Sequence, residues 1–178
     1  ENYIIVPVSA DRGLCGGFNS SINKETFKLV KSLESENKKV QILPVGKKSR
    51  DFFNRLMKDK IVESFVDMNV SSNGYDAALN ISNKLQELYF EGRFDKCIIV
   101  FNKFKSAINQ EVTKQQLIPL DISNSIEEKQ TSEENLKANA IYIYEPDEET
   151  ILQDLLPKNV SIQIFKVLLE SDAGEQGA

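Results

Sequence analysis

Histidine and tryptophan are both missing from these 178 residues. Without histidine there is no Ser-His-Asp or Cys-His catalysis, no histidine metal ligand and no imidazole switch near neutral pH. Cysteine is almost as scarce. Cys15 and Cys97 are too few for a disulfide scaffold or a four-cysteine zinc site. No apolar run approaches the roughly 18 residues that a membrane span needs. Positive charge is short as well. Against 27 Asp and Glu stand 22 Lys and Arg, and the net charge of −5 has the wrong sign for a general nucleic-acid binder. There is no initiator methionine and no signal-peptide pattern. The first apolar run begins at residue 3, which points to a piece of a longer chain.

What is present reads as one soluble α/β domain, with 40% hydrophobic and 28% charged residues. Tyr3-Ile4-Ile5-Val6-Pro7-Val8 and Val40-Gln41-Ile42-Leu43-Pro44-Val45 are short β-branched runs without alternation, the mark of strands buried on both faces. Cys97 to Phe101 is the most apolar run and the expected central strand. It continues to Ile108, turns at Asn109-Gln110 and returns as Glu111 to Ile122. A turn that short allows only an antiparallel hairpin, so the sheet is mixed. Ala140 to Tyr144 is the last expected strand. Between the strands, apolar residues at helical spacing mark helices after Asn19, from Lys47 to Lys60, and from Tyr75 to Tyr89 with Gly92 as C-cap. The expected fold is a Rossmann-like open mixed sheet of about five strands with helices on both faces.

Two helices are expected after Pro146, one from Asp147 and one from Pro157, because proline is tolerated in a first turn. In the second, Val160, Ile164, Val167 and Ser171 recur at spacings of four and three, a coiled-coil seam. Phe165, Leu168 and Leu169 form another stripe. One face can pack on the sheet while the other awaits a partner helix. Residues 1–156 are therefore assigned to the α/β domain and 157–178 to the stub of a coiled-coil helix.

The densest motif is the turn Asp11-Arg12-Gly13-Leu14-Cys15-Gly16-Gly17-Phe18-Asn19, set between a strand and a helix. Such turns often hold phosphate on helix N-terminal amides. This one matches neither the dinucleotide fingerprint nor the P-loop, lacks the P-loop lysine, and carries Asp11, which repels phosphate. Its glycines equally serve a tight turn with positive φ. A small nucleotide- or phosphate-binding enzyme using Gly13–Gly17 is the alternative function. Elsewhere, Tyr142 and Tyr144 share one face of the last strand, and Glu145 follows at its tip. Two tyrosines beside an acid are the composition of an interface. Charge is uneven too. Residues 36–60 carry eight Lys and Arg against three acids, whereas 121–150 carry nine acids against two lysines.

Taken together, four stretches resemble the gamma subunits of F-type ATP synthases. Ser9-Ala10-Asp11-Arg12-Gly13-Leu14-Cys15-Gly16-Gly17-Phe18-Asn19 is similar to that family's S-D-[RK]-G-L-C-G-G-x-N element, with Ala10 inserted. Phe101 to Ile108 is similar to its central strand and hairpin, and Tyr142-Ile143-Tyr144-Glu145-Pro146-Asp147 to its Y-x-Y-E-P-D strand exit. Glu170 to Gln176 is similar to its E-[SN]-x-A-S-E-Q helix, with Asp172 and Gly174 as departures.

The resemblance implies a non-catalytic rotor subunit of the central stalk, without cofactor or metal. Its globular domain docks on the epsilon subunit and on the polar loops of the c ring. A coiled coil, most of it missing from this chain, reaches the alpha3-beta3 head. The complex lies peripherally on the cytoplasmic face of a bacterial inner membrane, or on the matrix side of the mitochondrial one. On this reading Tyr142, Tyr144 and Glu145 are interface candidates. Asp11, Gly13, Cys15, Gly16, Gly17 and Asn19 form a structural turn, not a nucleotide site.

Overall fold

The computed structural model describes residues 1–11, 18–104, 110–119 and 148–177. Strand β1 (Asn2–Pro7) leads through helix α1 (Phe18–Ser35) to β2 (Lys39–Ile42). Helix α2 (Lys47–Leu56), a 3-10 turn (Lys58–Lys60) and helix α3 (Val70–Phe90) follow. The hairpin strands β3 (Lys96–Phe104) and β4 (Gln110–Ile118) and the long helix α4 (Glu148–Gly177) complete the chain. The sheet order is β2-β1-β3-β4. β1 runs parallel to β2 and β3, while β3 and β4 are antiparallel, so the sheet is mixed as expected. A bulge between Cys97 and Ile98 shifts the register of the hairpin.

The unbroken apolar run of β1 is explained by its two neighbours above and below. Ile4 and Val6 face a core shared with Ala78, Ile81 and Leu85 of α3 and Val160 and Ile164 of α4. Tyr3 and Ile5 face the other way, onto Ile22 and Val30 of α1 and Phe53 of α2. Each fully buried large side chain here contributes roughly 1.5–3 kcal/mol. Pro7 is the last residue of its strand, where the missing N–H costs least. Gly92 ends α3 at φ 73, with its N–H on the Tyr89 carbonyl and that of Arg93 on Leu88, the paired closure of a Schellman motif.

Two expectations need revision, and a third lies in part outside the described residues. Four strands are described where about five were expected, and residues 140–144, expected to supply the last, lie outside the described residues. The helix expected over 47–60 stops at Leu56 and tightens into the 3-10 turn. After Pro146 one helix runs where two were expected, so the proposed boundary at 156/157 falls inside α4. The physical reason is packing: from Val160 onward α4 fills the core between α3 and the sheet. It is a layer of the domain rather than a stub beside it.

Candidate functional site

The glycine-rich motif begins where β1 ends, and its first residues have a definite task. Parallel pairing of β1 with β2 brings the chain after Val8 alongside Val45, whose carbonyl accepts the Ser9 N–H at 2.8 Å. Helix α2 starts two residues beyond Val45, with its first N–H groups pointing at this turn. The Lys47 N–H donates to Asp11 Oδ1 at 3.0 Å. The Lys48 N–H donates to the Ala10 carbonyl at 3.2 Å. The Ser49 N–H donates to Ser9 Oγ at 2.8 Å. Three donors that a helix start leaves unpaired are thus all satisfied by consecutive residues of another element.

The network continues inward and backward. The Ser49 hydroxyl donates to Asn23 Oδ1 of α1 at 2.7 Å, and both residues are buried. The Ala10 N–H donates to Asn19 Oδ1 at 2.9 Å, which ties the end of β1 to the first turn of α1. Gly46 makes the close approach possible. It sits at φ 99, and a Cβ there would lie 2.2 Å from the Ser9 carbonyl oxygen. Lys47 turns its ammonium away to Asp67 at 2.6 Å, and this hydrogen bond raises its pKa above the ordinary lysine value.

Among the predicted motif residues, Asp11 therefore holds the start of α2 and Asn19 the end of β1. Gly13, Cys15, Gly16 and Gly17 lie outside the described residues, as do Tyr142, Tyr144 and Glu145. Ser9 enters the sequence reading only as the first residue of the family-like motif, and nothing in the sequence points to Asn23, Gly46 or Ser49. Their sequence separations are silent on contact, and only the adjacency of β1 and β2 brings them together. Asp11, read as repelling phosphate, does something more specific. It and its neighbours occupy the α2 amides on which an anion would otherwise sit.

The second region of interest is α4. The predicted seam residues Val160, Ile164, Val167 and Ser171 are all buried, and the first three belong to the core formed with α3 and the sheet. These residues pack on α3 and the sheet of their own domain. The apolar residues left facing water are others. Ile162 is 50% exposed and Leu169 46%. Phe165, half-buried between them, stacks with Tyr75 of α3 at a ring separation of 5.5 Å. Ile162 and Leu169 are seven residues apart with Phe165 in between, the spacing of a heptad stripe. Glu170 anchors the helix from the side, its Oε2 accepting the Phe104 N–H at 3.2 Å.

Other chemistry is sparse. A cleft of about 570 Å³ opens at the far end of the sheet, lined by Lys38, Lys39, Lys60 and Arg93 and by Glu34 and Asp59. It has no aromatic wall on which a base would stack. Lys60 is paired with Glu34 at 2.9 Å, and Lys38 with Glu1 at 3.1 Å. The Cys97 thiol is fully buried, which pushes its pKa far up and makes it inert as a nucleophile. Among the described residues no group of His, Cys, Asp or Glu is placed to hold a metal ion, and no helix is long and apolar enough to cross a membrane.

Comparison with known proteins follows the same outline. The family model for ATP synthase matches residues 1–178. The ATP synthase gamma chain of Rhodospirillum rubrum is 44% identical over 176 residues, covering 99% of this chain and 59% of that protein. The ATP synthase gamma chain of Paramagnetospirillum magneticum is 40% identical over 176 residues, with 99% and 58% covered. The chain therefore spans somewhat over half the length of these relatives. Among solved structures, a chain from the central stalk and c-ring of Tetrahymena thermophila mitochondrial ATP synthase has the same fold. Its TM-score is 0.72 at 23% identity, covering 99% of this chain and 72% of that one. A rotor chain of the Euglena gracilis mitochondrial enzyme follows with a TM-score of 0.64 at 19% identity, covering 99% and 62%. Similar along its length to gamma chains and matched by the family model from the first residue to the last, this chain belongs to the ATP synthase family.

Proposed function

We propose that this chain is the globular foot of the central stalk in an F-type ATP synthase, a part of the rotor that transmits torque and catalyses nothing itself. The observation that carries this reading is the match along the whole chain to gamma chains. The geometry agrees with it. A torque-bearing body needs a stiff interior, and this one has two filled cores and a helix start locked to the neighbouring strand.

In this proposal the foot docks on the epsilon subunit and on the c-ring loops, with Tyr142, Tyr144 and Glu145 as contact residues. The outer stripe Ile162–Phe165–Leu169, beside Tyr75, receives a shaft helix supplied by the rest of the gamma chain. That shaft reaches the alpha3-beta3 head. The assembly is peripheral to the membrane, on the cytoplasmic side in a bacterium or the matrix side in a mitochondrion, and needs no cofactor in this chain.

The test is reconstitution. A gamma chain carrying Tyr142→Ala with Tyr144→Ala is expected to assemble poorly with epsilon or the c ring. Unchanged assembly would remove those residues from the interface. Calorimetric titration with ATP, ADP and NAD separates the rival. Micromolar affinity abolished by Gly16→Val would favour the enzyme over the rotor foot.

A further inference from the structure

We propose that Asn73 is a site of spontaneous deamidation, through which solvent water converts the first turn of α3 to an aspartate or isoaspartate form. Asn73 is the only asparagine in the sequence that glycine follows. With no side chain on the next residue, its backbone nitrogen can approach the asparagine amide without steric hindrance. Other exposed asparagines precede bulky residues, as Asn37 precedes Lys38 and Asn54 precedes Arg55.

The structure adds two independent features. Asn73 is exposed, and it breaks the helix. Its φ of −130° and ψ of 26° are non-helical, although α3 runs on both sides of it. The turn Val70–Asn73 is thus hinged from the body of α3, which is the kind of end segment that opens first. Gly74 is itself buried, and an added Cβ would meet Val70 Cγ1 at 3.3 Å. The reaction therefore runs through the opened turn rather than the closed one.

The chemistry balances without an oxidant or cofactor. The Gly74 nitrogen attacks Asn73 Cγ, a C–N bond forms, and the Cγ–Nδ2 bond breaks. Ammonia leaves, carrying away the proton lost by the Gly74 nitrogen. Water then opens the five-membered imide at either carbonyl. One product is an ordinary aspartate, whose negative charge suits the first turn of a helix. The other is isoaspartate, which lengthens the backbone by one carbon and cannot rejoin the turn. Either product places a new carboxylate two residues before Tyr75, next to the exposed stripe of α4.

The experiment holds the folded chain at mildly alkaline pH and maps its peptides by mass spectrometry, with isoaspartate labelled by an isoaspartyl methyltransferase. Expected are acid-for-amide conversion and methyl labelling at residue 73, both lost in Asn73→Gln and in Gly74→Ala. Conversion in the denatured chain should be faster than in the native one. The proposal is overturned if Asn73 stays intact in the native chain after the denatured chain has converted. It is equally overturned if conversion concentrates at other asparagines, or if a folded Gly74→Ala, judged by circular dichroism, converts at the same rate. Should Gly74→Ala fail to fold, persistence of the label in Asn73→Gln overturns it alone.

Discussion

The turn beyond β1 and the outer stripe of α4 use opposite means. At the turn, polar groups are buried and each has a partner within the domain: three α2 amides, two serines, an asparagine and an aspartate. On the stripe, large apolar groups are left half in water, with Tyr75 and Phe165 leaning on each other. A closed polar network fixes one geometry and offers nothing to a newcomer. An open apolar ridge does the reverse, since burying it on a partner yields free energy that the isolated domain leaves unused. Stiffness therefore resides at one place and unused apolar surface at the other, which is the division of labour that the proposed rotor foot needs.

The harshest test of the closed network is Gly46→Val. A non-glycine residue at this φ costs about 1–3 kcal/mol, and the displaced Ser9 backbone gives up caps of about 1 kcal/mol each. A loss of about 4 kcal/mol or more is expected in urea unfolding. A loss below about 1 kcal/mol would mean that the turn yields, and the contrast with the stripe would collapse.

Next in size is Ile164→Ala, on the inner face of α4. Ile164 is 1% exposed and sits in the core shared with α3. A cavity there is expected to cost about 2–5 kcal/mol. Thermal melting of this variant beside the parent asks whether α4 is a layer of the domain. If Ile164→Ala melts like the parent, the helix is peripheral after all.

Ser9→Ala comes third. It leaves the Ser49 N–H without its acceptor in a buried place, for about 1–2 kcal/mol. Adding Asn23→Ala should cost less than the sum of the two single changes, because both side chains hold Ser49.

These three sites differ in how far they can be read from the chain alone. The apolar runs at Tyr3–Val8, Val40–Val45 and Cys97–Phe101 disclose β1, β2 and β3, because burial on both faces leaves an unbroken pattern. Helical spacing likewise discloses that Val160, Ile164 and Val167 share a face. It does not disclose which of two apolar faces meets the core, since that depends on where α3 lies. Pro157 carries a local signal for a helix start, yet packing beyond it sustains one helix across that position. The capping of α2 was the least legible. Ser9 and Ser49 are 40 residues apart, and neither carries any local sign of the other. The motif was visible; its purpose needed the β1–β2 pairing.

The smallest expected effect compares like with like. Ile162→Ala is the same substitution as Ile164→Ala, two residues away on the same helix. Ile162 is half exposed, so less apolar area is lost, and alanine's better helix propensity returns about 0.4 kcal/mol. The net loss in the isolated chain should stay under about 0.5 kcal/mol. In a full-length gamma chain, where the proposal covers this stripe with a shaft helix, the same change should approach the cost of Ile164→Ala. Equal small costs in both settings would leave the stripe without an occupant. A large cost already in the isolated chain would show instead that the two faces of α4 are not distinct, and the division between stiffness and association would have to be drawn elsewhere.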